Sequence, residues 1–243
     1  MQGAKLVSVD EQVGTPEELL TWSPTIGRER ALGALVGNAY RATFGLLISR
    51  GIPPGGRITV DELSRRLGIS QTPLRQALVI LESEGLVTKV HFSGYRASEL
   101  LSHKDLENMF EVRLLLEPEA ARLAAESVGH EDLDAMAHAH QEMRAEASRE
   151  GAVPYGTFAG HDATLHSLIA EASRNEALHD SIARLHAHAH LFRLRFDTAV
   201  THDALDEHAE LIAAIAAPDP RRAAATMRKH LKQSRGRLRR AFG

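Results

Sequence analysis

Val60-Asp61-Glu62-Leu63-Ser64-Arg65-Arg66-Leu67-Gly68-Ile69-Ser70-Gln71-Thr72-Pro73-Leu74-Arg75-Gln76-Ala77-Leu78 reads as two short helices joined by a tight turn. Leu63 and Leu67 lie four apart in the first helix, and Gly68 ends it. Ser70 can cap the second helix by accepting an orphan backbone N–H, and Pro73 falls in the first turn, where its missing N–H costs little. Leu74, Ala77, Leu78 and Leu81 then form an apolar stripe at i, i+3, i+4 and i+7 that packs inward. Gln71, Thr72 and Arg75 lie off that stripe. They cluster at the helix N-terminus, the end that a recognition helix presents to base edges in the major groove. After Gly85 the period shifts towards strand in Leu86-Val87-Thr88-Lys89-Val90, turns through His91-Phe92-Ser93-Gly94 and resumes in Tyr95-Arg96-Ala97. The result is a helix-turn-helix followed by a hairpin of the size of a wing.

An ordinary helical hairpin with a solvated polar face would account for the two helices alone, but charge argues against it. Residues 27 to 98 carry ten Lys or Arg and five Asp or Glu, net +5, whereas the whole chain is at −3. The basic character is local, as an electrostatic footprint on phosphates requires. Upstream, an apolar helical period through Leu32, Leu35, Val36, Ala39, Phe44 and Leu47 predicts the first helix of the same domain between Gly27 and Arg50.

The run Pro53-Pro54-Gly55-Gly56-Arg57, then Asp61-Glu62-Leu63-Ser64, then Gly68 to Leu78, then Leu81-Glu82 and Glu84-Gly85-Leu86-Val87, resembles the winged helix of the GntR family of bacterial transcription regulators. The likeness covers about seventy residues, with the proline-glycine entry, the Ser-x-Thr-Pro-x-Arg core and the Glu-Gly-Leu-Val exit in order. It implies DNA contacts from Arg57, Ser70, Gln71, Thr72, Arg75 and, in the wing, Gly94. Many members have Arg where this chain has Gln71, so a bidentate Arg–guanine contact becomes at best a Gln–adenine one.

The chain has 243 residues, 43% of them apolar, which suits two modest domains with real cores. We expect an arm over 1–26, the winged domain over 27–98 and a helical domain over 99–243. The arm is polar and acidic. Much of it is expected to be loose, with a short helix at Pro16 to Trp22 and Trp22 packed on the body. The absence of Cys excludes a disulfide framework and a thiolate metal site. No apolar run approaches the ~18 residues of a membrane span, and no signal-peptide pattern opens the chain, so a cytoplasmic location is expected.

From Leu100 onward strand signals vanish. Helices are predicted near 103–127, 131–149, 154–172, 175–198, 203–216 and 220–241, punctuated by Gly129, Gly151 to Pro154, Ser173 to Asn175 and Pro218-Asp219-Pro220. The fold expected is mainly α: a winged helix-turn-helix followed by an antiparallel bundle of six helices.

Thirteen of the fourteen His lie beyond residue 98. Some fall, by helical phase, on apolar faces. Asp162 and His166 sit four apart beside Leu165 and Ile169. His208 shares its face with Leu205, Leu211, Ile212 and Ile215, and His230 with Met227 and Leu231. Any one of these alone reads as a core His satisfied by a backbone carbonyl. Together, one carboxylate and three imidazoles converging from three helices form a satisfied set if a divalent cation sits between them.

This segment, roughly 103 to 240, resembles the FCD domain that accompanies the winged helix in the FadR-type branch of the GntR family. The residues that carry the likeness are Asp162-x-x-x-His166, Glu207-His208 with Ile212 and Ala214-Ile215, and Met227-x-x-His230-Leu231. It implies metal ligands Asp162, His166, His208 and His230. Zn²⁺ is the default, and Ni²⁺ or another transition metal also suits three nitrogens and one oxygen. Arg113 falls on the stripe of Leu106, Phe110, Leu114 and Glu117. Its partner is either Glu117, one turn on, or the carboxylate of a ligand, which the FCD resemblance favours. Asn175 sits where the family often has Asn in the effector pocket, although a helix cap also explains it. In His186-Ala-His188-Ala-His190 only His186 and His190 share a helix face, so most of that run, like His138 and His140, is expected at the surface.

The function expected is that of a homodimeric, metal-containing transcription regulator, not an enzyme. Its partners are operator DNA and a small carboxylate effector. The alternatives are a metal-dependent hydrolase using the Asp/His₃ set and a constitutive DNA binder with a structural metal. The hydrolase lacks a clear general base and leaves the basic segment without a purpose.

Overall fold

The computed structural model describes residues 33–147, 155–194 and 201–242. The acidic arm with Trp22, Leu32 and the segments 148–154 and 195–200 lie outside the described residues. The described residues fall into two compact units, one up to residue 99 and one from residue 100 onward.

The first unit starts with α1 (Ala34–Ile48), which buries Ala39, Tyr40, Phe44, Leu46 and Leu47. Leu35, expected on the inward stripe, is instead 70% exposed, because the buried face begins a turn later. β1 (Arg57–Ile58) leads into α2 (Val60–Leu67). Thr59 caps α2 by accepting the N–H of Glu62, and Gly68 terminates it in the left-handed region at φ 66°. α3 (Gln71–Ser83) follows two residues later, and Leu74, Ala77, Leu78 and Leu81 on its inward stripe are all fully buried. Ser70 occupies the N-cap position, but its hydroxyl accepts no capping bond, which corrects the sequence expectation. β2 (Val87–Val90) and β3 (Gly94–Ala97) pair antiparallel in the register Thr88 to Arg96 and Lys89 to Tyr95. Beyond the two-stranded wing foreseen, β1 adds on the far side of β3, giving the order β1-β3-β2. Two residues are too few for alternation to show in a sequence.

The second unit holds, among the described residues, seven α-helices where six were expected. α4 (His103–Ser127) starts with a capping box in which the Ser102 hydroxyl accepts the N–H of Asp105 and the Asp105 carboxylate accepts the N–H of Ser102. α5 (His130–Ala147) and α6 (Tyr155–Ala172) follow. The single helix predicted over 175–198 is two, α7 (Glu176–Arg184) and α8 (Ala187–Leu194). Between them His186 takes a positive φ of 44°, a conformation that no helix interior tolerates. Periodicity missed this break because no Gly or Pro marks it. α9 (Thr201–Ala216) and α10 (Pro220–Arg239, with a 3₁₀ turn to Phe242) complete the unit. Leu106, Phe110, Met136, Met143, Leu165, Ile169, Leu211, Ile215, Met227 and Leu231 share one core. The polar cluster described next is set into it. No helix among the described residues is long and apolar enough to cross a membrane.

Candidate functional site

Two surfaces carry chemistry, one in each unit. In the first, Ser70, Gln71, Thr72 and Arg75 are all exposed at the start of α3. They form a small network. Gln71 Nε2 donates to Asp61 Oδ1 at 2.7 Å, and Arg75 Nη2 donates to Gln71 Oε1 at 3.2 Å, so both ends of the Gln71 amide are held before any base is met. Arg57, also exposed, pairs with Arg96 across β1 and β3, which adds two cations to the same sheet. Gly94 is required by the wing itself. At φ 88° a Cβ there would lie 2.7 Å from the carbonyl oxygen of Ile58. Phe92, at the turn of the wing, is 95% exposed, a feature that sequence reasoning passed over.

In the second unit the four inward polar residues come together. Asp162 and His166 stand on α6, His208 on α9 and His230 on α10. His166 and His230 are each 3% exposed and His208 is fully buried. Ring centroids are 4.7 Å apart for His208 and His230, 5.2 Å for His166 and His230, and 5.9 Å for His166 and His208. One nitrogen from each of the three lies within 4.8 Å of the other two. Asp162 Oδ1 approaches His208 Nε2 to 3.0 Å, without the angle of a hydrogen bond.

Two buried carboxylates hold the rings from behind. His166 Nδ1 meets Glu117 Oε2 at 2.7 Å, and His230 Nδ1 meets Glu207 Oε2 at 2.8 Å. Each carboxylate is clamped by an arginine. Arg113 grips Glu117 through Nε and Nη2, and Arg237 grips Glu207 through both terminal nitrogens. A carboxylate that accepts from Nδ1 fixes the tautomer and leaves Nε2 with its lone pair towards the centre, the arrangement that supports metal-bound imidazoles. His166 Nε2 and both ring nitrogens of His208 are buried without a hydrogen-bond partner. An orphaned polar atom of that kind costs about 1–3 kcal/mol. A shared cation would take His166 Nε2 and one nitrogen of His208, so the donor set fits a divalent transition metal.

Electrostatics agree with that role. Burial keeps His166 below the usual imidazole range and brings His230 down to about 4, outweighing the hydrogen bond each donates to its carboxylate, so both rings are neutral. Burial alone would raise Asp162, yet the hydrogen bond with His188 and the close approach of His208 hold it well below the usual carboxylate range. Glu117 is likewise held down by Arg113 and His166, and Glu207 is held to about 2 by His230 and Arg237. The consequence for stability has a definite sign. Between pH 6.5 and about 4 the unfolded chain protonates at His230 and the folded one does not, so folding stability falls with acidification. Glu207, depressed from 4.5, adds a loss in the same sense as pH drops towards 2. For metal-free protein, thermal melts of the helical unit should therefore show a loss of about 3 kcal/mol from His230 between pH 7 and pH 4. A flat profile would contradict a buried neutral imidazole.

Sequence reasoning overlooked some of this site. Arg113 is 2% exposed and paired with Glu117, the first of the two partners considered for it. Asn175 caps α7 by accepting the N–H of Leu178. Glu207 and Arg237 were passed over, although Arg237 lies two turns beyond His230 on one helix face and so carries a buried charge in need of an anion. His188 was assigned to the surface. It is instead mostly buried, and its Nδ1 lies 2.9 Å from Asp162 Oδ2, because the break at His186 resets the helical phase. His140 is also partly buried, bonded through Nε2 to the carbonyl oxygen of Leu205.

Comparison with known proteins supplies the class. Residues 108–233 match the model of the FCD domain, and residues 39–96 match that of the bacterial regulatory proteins of the gntR family. The chain therefore belongs to the GntR family, in the branch that carries an FCD domain, and is a DNA-binding transcription regulator rather than an enzyme. It is 30% identical over 133 residues to the Nta operon transcriptional regulator of Aminobacter aminovorans, a match spanning 55% of this chain and 61% of that protein. It is 29% identical over 202 residues, 80% of this chain and 91% of the relative, to the HTH-type transcriptional repressor GlaR of Escherichia coli K12. Among solved structures, E. coli McbR/YncC superimposes with a TM-score of 0.69 at 19% identity, over 87% of this chain and 100% of that one, which speaks for the fold.

Proposed function

We propose that this regulator binds its operator as a homodimer and that a small organic acid, taken up beside a cation in the helical unit, changes its operator affinity. The observation that carries the reading is the set of unpartnered ring nitrogens on His166 and His208 inside a carboxylate-supported cluster. Asp162, His166, His208 and His230 would hold the ion, Zn²⁺ first and Ni²⁺ next, each a metal that imidazole suits. The ion would supply a positive centre for a carboxylate. The chain's own part is to keep His166 and His230 neutral, to anchor these two rings through Glu117 and Glu207, and to bring an anion alongside.

A cavity lined by Ala163, His166, Ser167, His179, Ile182 and His186 opens next to the cluster and gives the acid a place. Its alanine and serine walls suit a small molecule. Arg113 and Asn175 belong to the proposal as effector contacts on one condition. Each must exchange its present partner, Glu117 or the N–H of Leu178, for the acid. Breaking such bonds is one way for a ligand to favour one conformation over another, the differential interaction that any population shift requires. On α4, Leu115 is 75% exposed and Val112 38%, an apolar face that a second copy would cover. Repression is the direction favoured, since GlaR is a repressor.

The test is to titrate metal-loaded, full-length protein with a panel of small mono- and dicarboxylic acids while following operator binding by fluorescence anisotropy. At least one acid should shift the affinity 5- to 150-fold, the usual span of allosteric coupling. Operator binding indifferent to every acid that the protein binds would leave a constitutive DNA binder with a structural metal.

A further inference from the structure

Asp162 is engaged from two sides. Its Oδ1 lies 3.0 Å from His208 Nε2, and its Oδ2 lies 2.9 Å from His188 Nδ1. The donor atoms of Asp162, His166 and His188 all fall within 4.8 Å of one another, as do those of His166, His208 and His230. His166 is common to both groups, its ring centroid 4.7 Å from that of His188, and the Asp162–His208 approach joins them again. Around an ion with bonds of about 2.1 Å, adjacent donors stand roughly 3.0 Å apart and opposite ones roughly 4.2 Å. The two triads share His166, and Asp162 links them by facing His188 with one oxygen and His208 with the other, so small shifts of these side chains would gather the donors about a single centre.

We propose that His188 is a fifth protein donor, so that one cation is held by Asp162, His166, His188, His208 and His230. The inference rests on the metal reading of this cluster and extends it. A hydrogen bond from His188 to Asp162 would satisfy those two groups alone, leaving His166 Nε2 and the His208 ring buried without hydrogen-bond partners. A common centre would take one nitrogen from each ring. The backbone points the same way. The chain interrupts a helix and holds His186 at φ 44°, a sparsely populated conformation for a residue with a side chain, and α8 restarts with His188 turned to Asp162. Five protein donors leave one position of a six-coordinate shell. An acid would then enter through a single carboxylate oxygen, from the cavity that His166, His179, His186 and His188 line together.

X-ray absorption at the metal edge of full-length protein loaded with zinc alone counts imidazoles directly. Four per ion are expected in the wild type and three in His188→Asn, with zinc affinity lowered at least tenfold. The asparagine amide nitrogen is bonded to Cγ as Nδ1 is and keeps an N–H for Asp162, so a side chain that only orients Asp162 would be replaced without loss. Three imidazoles in the wild type, or an affinity and count untouched by His188→Asn, would overturn the assignment of His188 while leaving the metal centre in place. A wild type that takes up no zinc would overturn both. Should His188→Asn fail to fold, the wild-type count decides.

Discussion

Purified without an affinity tag, the Asp162→Ala/His166→Ala protein should contain no stoichiometric metal, whereas the wild type should contain one ion per chain. These two residues contribute the carboxylate and the one imidazole common to every grouping of donors in the cluster. Removing them leaves the remaining imidazoles without the carboxylate and without the one ring that joins the two groups of donors, so the ion should not survive purification. The variant should keep its helices, since Asp162 is a buried charge whose removal also removes a desolvation cost. Stability then gives a second readout. A ligand present at a thousand times its dissociation constant stabilises the folded state by about 4 kcal/mol, so a chelator should lower the melting temperature of the wild type and leave that of the variant unmoved. Unchanged metal content in the variant would place the ion elsewhere.

Arg75→Ala should weaken operator binding by about 1–3 kcal/mol, a loss of roughly 5- to 150-fold. Arg75 is exposed on the first turns of α3, and its guanidinium steadies Gln71, which is itself tied to Asp61. The substitution thus removes a cation and releases Gln71 Oε1 in one step, while Nε2 stays tied to Asp61. Anisotropy titrations at several salt concentrations separate two routes to the loss. Relaxed preference at one base pair marks an edge contact, and a salt slope lowered by about one unit marks a phosphate contact. Operator affinity equal to the wild type's would remove the start of α3 from the interface.

The winged unit was legible because local rules and tertiary needs coincide there. Gly68 is where a left-handed residue is required, Leu74 to Leu81 carry an unambiguous helical stripe, and Gly94 marks the turn of the hairpin. Ser70 shows the limit of such rules. It stands at the cap position, yet its hydroxyl remains exposed and uncommitted. In the helical unit, His166, His208 and His230 could be found because a polar residue on an apolar stripe contradicts its own pattern. His188 could not. Its inward direction depends on the backbone reversal at His186, which carries neither Gly nor Pro to announce it. Glu117 was visible as the anion that Arg113 demands, whereas the Glu207–Arg237 pair was not read from the sequence. That each carboxylate also receives an imidazole depends on the packing of α4, α6, α9 and α10, which no single helix encodes.

The centre of this account is a cation among the four inward side chains of the FCD domain. Anomalous scattering from crystals of the untagged protein, recorded on either side of the zinc and nickel absorption edges, tests it most directly. The account predicts one strong peak per chain, within bonding distance of Asp162 and of the inward nitrogens of His166, His208 and His230. A map without a peak there, from crystals grown of protein never exposed to chelator, would contradict it.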